Sequence, residues 1–131
     1  MKFVDTSFWV ALVSVRDRHH GDARALAEPG LGALLTSNHV VGETWTFVRR
    51  RHGHGAAVAC IRAMREIPAL TVLHVEAPAE DDAWRWLDRH DEREYSFVDA
   101  TSFSVMRRRR MREALAFDGD FAAAGFVELR P

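Results

Sequence analysis

A chain of 131 residues, 47% apolar and 28% charged, has the make-up of one ordinary globular domain, long enough to bury a core and too short to divide it. No apolar run approaches the roughly 20 residues that cross a bilayer, and the N-terminus lacks the regions of a secretory signal, so the expectation is a cytoplasmic, single-domain protein spanning 1–131 with no membrane contact. The formal charge of −1 conceals an uneven distribution: Arg49 to Arg51 and Arg107 to Arg110 with Arg112 are basic clusters, while acids crowd Glu76 to Asp82 and Asp88 to Glu94.

In chain order, Phe3 and Val4 read as a short buried strand ending in Asp5, and Phe8, Leu12 and Val15 then recur at helical spacing. A second helix is expected over His20 to Glu28, closed by Pro29 and Gly30. Ala33 to Thr36 reads as strand. Ser37 and Asn38 can cap a helix from His39 to Arg51 with Val40, Val41, Thr44, Trp45 and Val48 inward, and Gly53 and Gly55 break it. Ala56 to Glu66 is another helix, stopped by Pro68. Leu70 to Val75 is the most strand-like run of all, rich in β-branched and apolar residues. Pro78 stands near the start of a helix reaching about Asp91. Ser96 opens the next, whose Arg-rich end suits the negative pole of the helix dipole. Glu113 to Phe117 reads as a fourth strand, Asp118 to Asp120 as a tight turn and Phe126 to Leu129 as a last strand. Strands separated by helices predict an α/β fold, a mainly parallel central sheet with helices on both faces. Cys60, with no partner for a disulfide, reads as core, as do Trp9, Trp45, Trp84 and Trp86, some of which could line a dimer or partner groove. The histidines read as solvated surface or as isolated residues.

The acids carry the functional signal. Asp5 stands at a strand end, where α/β sheets bind their ligands, although Asp5, Thr6 or Ser7 would equally serve as a plain helix cap. Glu43 shares one helical face with Val40 and Phe47, and Asp99 lies in the stripe of Phe103 and Met106, so both carboxylates fall where apolar side chains are expected. Burying an unpartnered carboxylate costs several kcal/mol, unless each lies at the stripe's edge and pairs with a neighbouring Arg. Asp118, closing the run Leu115-Ala116-Phe117, repeats the strand-end placement of Asp5, while Asp-Gly on its own is a turn signal. Four acids brought together repel by roughly 1 to 4 kcal/mol per close pair and require a positive centre. An all-oxygen donor set favours Mg²⁺ or Mn²⁺ over Zn²⁺.

These residues resemble the PIN-domain ribonucleases, and among them the VapC toxins of bacterial toxin–antitoxin pairs, through VDTSFW at Val4 to Trp9, GETWT at Gly42 to Thr46, SFVDATSF at Ser96 to Phe103 and AFDGDF at Ala116 to Phe121. The resemblance covers nearly the whole chain and implies a three-layer α/β/α PIN-like domain with Asp5, Glu43, Asp99 and Asp118 as its catalytic acids. It implies metal ligation by Asp5, Asp99 and Asp118, with Thr6 as a hydroxyl neighbour and Asp120 able to assist or replace Asp118. It also implies a Mg²⁺- or Mn²⁺-dependent endoribonuclease, homodimeric and restrained by a VapB-like antitoxin. Arg49, Arg50 and Arg51, with Arg107, Arg108, Arg109, Arg110 and Arg112, would then hold the RNA backbone, although Arg at a helix C-terminus also serves the helix dipole alone. Two alternatives come from other classes. A phosphoacceptor receiver domain also gathers acids around Mg²⁺, but the middle strand Leu70 to Val75 ends in Glu76 rather than Asp. A non-catalytic RNA- or antitoxin-binding module would leave the inward acids unexplained.

Overall fold

The computed structural model describes residues 1–131 as a five-stranded, wholly parallel sheet with seven helices packed around it. The elements are β1 (Lys2–Val4), α1 (Thr6–Val13), α2 (His20–Ala27), β2 (Leu34–Ser37), α3 (Asn38–His52), α4 (His54–Arg65) and β3 (Leu70–Leu73), followed by α5 (Ala77–Arg89), α6 (Phe97–Arg108), β4 (Glu113–Leu115), α7 (Asp120–Ala123) and β5 (Val127–Glu128). Strand order is β3-β2-β1-β4-β5. The chain therefore winds from β1 outward to β3, then returns to lay β4 on the other side of β1. That reversal opens a crevice beyond the carboxyl ends of β1 and β4, the place where open parallel sheets accept ligands.

The core explains the stability of this layout. Phe3, Val4, Leu34, Leu35, Ala114 and Leu115 of the inner strands are sealed from solvent, as expected where helices cover both faces of a parallel sheet. Phe103 of α6 is fully buried, meets Trp86, Tyr95 and Phe121 edge-on and stacks with Phe126. Residues 99–106 of α6 are all buried, so this helix runs through the interior and has no solvent face until its Arg-rich end. No helix is long and apolar enough to cross a membrane.

Several elements are shorter than the sequence pattern predicts, and in two strands a backbone N–H finds a side-chain partner instead. Helix α1 ends at Val13 as Ser14 turns extended, which leaves Val15 outside it and 79% exposed. Strand β3 stops at Leu73, and Val75 N–H donates instead to Asn38 Oδ1 at 2.9 Å. Strand β4 stops at Leu115, and Phe117 N–H donates to Ser7 Oγ at 3.0 Å. The turn expected at Asp118 to Asp120 leads into the short α7, after Gly119 adopts φ +84°, a left-handed conformation that Gly takes without strain. Glu128 of β5 caps that turn, accepting from Gly119 and Ala122 N–H. Cys60, Trp9 and Trp86 are buried as expected, but Trp84 is 54% exposed and stacks on Phe97.

Candidate acidic active site

Each predicted acid is positioned by the start of a helix or the end of a strand. Asp5 follows β1 and caps α1: its Oδ2 accepts from Ser7 N–H at 3.1 Å and from Ser7 Oγ at 2.6 Å. The capping and strand-end readings thus hold for the same side chain. Asp5 is 2% exposed, and its N–H is tied to the Leu115 carbonyl, so β1 and β4 deliver their termini side by side. Asp99 is fixed by a capping box in which its N–H donates to Ser96 Oγ at 2.9 Å and its Oδ2 accepts from Ser96 N–H at 3.0 Å. Neither inward acid is neutralised by an Arg of its own helix; Asp99 is held by backbone, and Glu43 Oε1 accepts from Thr6 Oγ1 at 2.5 Å. Replacing Ser96 with Ala will remove one half of the capping box and lower stability by about 1 kcal/mol, measurable by denaturant unfolding.

The structure brings Asp5, Thr6, Glu43 and Asp118 to one cleft of about 500 Å³, lined also by Ser7 and Phe117, while Asp99 and Asp120 lie outside its lining and join it through Asp118. The tightest carboxylate set is Asp99, Asp118 and Asp120, which offer oxygens within 4.8 Å of one another. Asp5 stands outside that set and beside it. Asp118 and Asp120 therefore both face the cluster: Asp118 is the exposed member at the rim, and Asp120 also accepts from Arg93 Nε at 2.9 Å. The Arg clusters lie further off. Arg107 sits eight residues beyond Asp99 on α6, about 12 Å along the axis, whereas Arg51 lies over Phe47, itself a cleft residue.

Electrostatics mark the cluster as short of positive charge. Burial, then the neighbouring Asp118, pushes Asp5 up to about 8. Burial, with Asp118 and Asp120 adding to it against the opposing Ser96 bonds, raises Asp99 to about 6. Asp118 is raised as well, by partial desolvation and by Asp120 and Glu128. The nearby cation Arg93 is committed to Asp120 and to the Asp118 carbonyl. These side chains fit a hard divalent ion, because the donors are all oxygens and the charge repulsion is what such an ion relieves.

Sequence reasoning missed three members of the site. Ser7 links Asp5 to the Phe117 backbone, and its only signal was its place in an Asp-Thr-Ser capping run. Arg93 approaches from the acidic stretch before α6, with no local pattern to announce it. The expectation of solvated histidines fails at His19 and His20: His19 stacks on Phe117 inside the cleft, and His20 Nδ1 lies 2.7 Å from the Ala11 carbonyl.

Acids converge at the switch point of a small parallel α/β sheet, and the PIN domain model matches residues 2–127; the chain belongs to the PIN-domain family. It is 59% identical over 131 residues to the 23S rRNA-specific endonuclease VapC20 of two strains of Mycobacterium tuberculosis, covering 100% of this chain and 99% of that protein. The crystal structure of Mycobacterium tuberculosis VapC20, a sarcin-ricin loop cleaving toxin, superposes with a TM-score of 0.94 and 57% identity over 100% of both chains. A toxin–antitoxin complex from Klebsiella pneumoniae shares the fold alone, with a TM-score of 0.67 and 15% identity over 98% of this chain and 100% of that one.

Proposed function

We propose that this chain is a single-domain endoribonuclease toxin of the VapC type that hydrolyses a phosphodiester bond of 23S rRNA, needs Mg²⁺ or Mn²⁺, and acts as a homodimer restrained by a VapB-like antitoxin. The observation that carries the reading is the meeting of acids from separate segments: Asp99, Asp118 and Asp120 offer oxygens within 4.8 Å of one another with the buried Asp5 beside them, and burial and neighbouring acids raise the pKa of Asp5, Asp99 and Asp118. The full-length likeness to a 23S rRNA-specific endonuclease supports the substrate.

In this reading Asp99, Asp118 and Asp5 hold the ion, with Asp120 as a further donor. A bound divalent ion supplies an ionised water near neutral pH and offsets charge on the phosphate oxygens. The chain's own residues do the rest. Thr6 donates to Glu43 and turns its carboxylate toward the cleft, where Glu43 orients the attacking water as a proton acceptor. Ser7 holds the Asp5 carboxylate against rotation. Arg51, two turns beyond Glu43 on the same face of α3, supplies positive charge for the RNA backbone, together with Arg49 and Arg50. Arg107 to Arg110 and Arg112 extend that field along the far end of α6.

The test is incubation of the purified protein with 23S rRNA and with intact ribosomes, mapping cuts by primer extension. A discrete cut that appears with Mg²⁺ or Mn²⁺ and vanishes with EDTA is expected. Cleavage indifferent to EDTA removes the metal from the reading, and intact RNA under both ions removes the enzyme.

A further inference from the structure

Beside the acids, the cleft holds an aromatic surface that the hydrolysis itself does not use. His19 is half-buried, and its ring lies on Phe117 with centroids 4.6 Å apart and planes 5° from parallel. The platform is rigid on both sides. Phe117 stacks in turn on Phe8, and its N–H donates to the same Ser7 hydroxyl that donates to Asp5. His19 is fastened by its N–H donating to Asp17 Oδ1 at 2.8 Å and by Arg18 Nε donating to its Nε2 at 3.0 Å.

Phe117 covers one face of the imidazole, and the half-buried His19 lines the cleft that also contains Asp5, Glu43 and Asp118. A flat, half-exposed ring of this kind, anchored one residue pair away from a metal-type carboxylate, matches what unpaired bases recognise: a π-face for stacking with cationic guanidinium alongside. We propose that the cleft-facing side of His19 stacks an unpaired nucleobase flanking the scissile phosphate, with Arg18 beside it. The subsite rests on the ribonuclease reading above. A paired base cannot enter it, because its face is already covered within the helix.

Two measurements separate the subsite from that reading. The first is binding in EDTA, where the RNA stays intact, using oligonucleotides of the cut region carrying one 2-aminopurine moved a nucleotide at a time. One position is expected to be quenched by the wild-type protein and by His19→Phe, and unquenched by His19→Ala. The second is steady-state cleavage. KM for His19→Ala is expected to rise about tenfold, the scale of one lost base stack, with kcat nearly unchanged, and His19→Phe is expected to restore KM. An abasic nucleotide at the quenched position should abolish the difference between the variants. The proposal is overturned if His19→Phe is as impaired as His19→Ala, which would assign His19 a polar or proton-transfer role, or if no position shows quenching that depends on His19. Quenching without any cleavage would keep the subsite and sink the enzyme reading instead.

Discussion

Asp99→Asn is expected to leave a folded protein whose RNA cleavage falls at least about a thousandfold, equivalent to about 4 kcal/mol of lost transition-state stabilisation. The fold survives because Asn can still accept the Ser96 N–H bond through its carbonyl oxygen, while the charge that burial raises to about pKa 6 is gone. What is lost is the carboxylate shared by the tight three-acid set. Asp5→Asn should behave alike, since an amide oxygen can accept both Ser7 bonds. Circular dichroism and thermal melts check the fold, and a time course on 23S rRNA checks the rate. Cleavage within tenfold of wild type by purified Asp99→Asn would take that residue out of the catalytic group.

The second large effect is on stability. In metal-free protein the folded pKa of Asp5, about 8, and of Asp99, about 6, lie above the ordinary carboxylate value of 3.8. The unfolded chain therefore gives up these protons first as pH rises. The stability tied to the proton on each acid is complete below pH ~4 and is lost progressively up to about pH 6 for Asp99 and pH 8 for Asp5. Asp5 is nearly sealed from water, so its share is on the order of a few kcal/mol, a large fraction of the 5–15 kcal/mol typical of a domain. Melts in EDTA from pH 5 to 8.5 are expected to show Tm falling by roughly 10 °C. Millimolar Mg²⁺ should restore it, and by more at pH 8 than at pH 5.5, because the ion displaces protons that are already leaving. Asp5→Asn should flatten the profile. A Tm that rises with pH in EDTA would mean that the carboxylates are not desolvated as described.

Much of this site was legible from position alone. Asp5 and Asp118 could be placed at strand ends because each closes a strand-like run, although capping and a plain turn fitted the same residues, and Glu43 stood out because its helical face was otherwise apolar. Asp99 was legible as misplaced but not as a cap: the Ser96-to-Asp99 spacing matches a capping box with Asp in place of the usual Glu, and burial of α6 on all sides hid which way its side chain turned. The choice between Asp118 and Asp120 could not be read, since it depends on Gly119 reversing the chain and on Glu128, ten residues past Asp118, capping the turn. His19 and Arg93 were invisible for a similar reason. Their roles come from contacts across the fold, with Phe117 and Asp120, that no local periodicity encodes. Element ends were overextended where side chains such as Ser7 and Asn38 took over N–H groups that the ladders would otherwise use.

The reciprocal Ser96–Asp99 pair makes one carboxylate both the clasp of a helix and a wall of the acidic pocket formed with Asp118 and Asp120. Nucleating α6 and assembling the acidic pocket are consequently one event, and whenever the clasp opens the pocket has lost a wall. An ion seated there would hold the clasp shut from outside, so the tighter it binds the less that helix end frays.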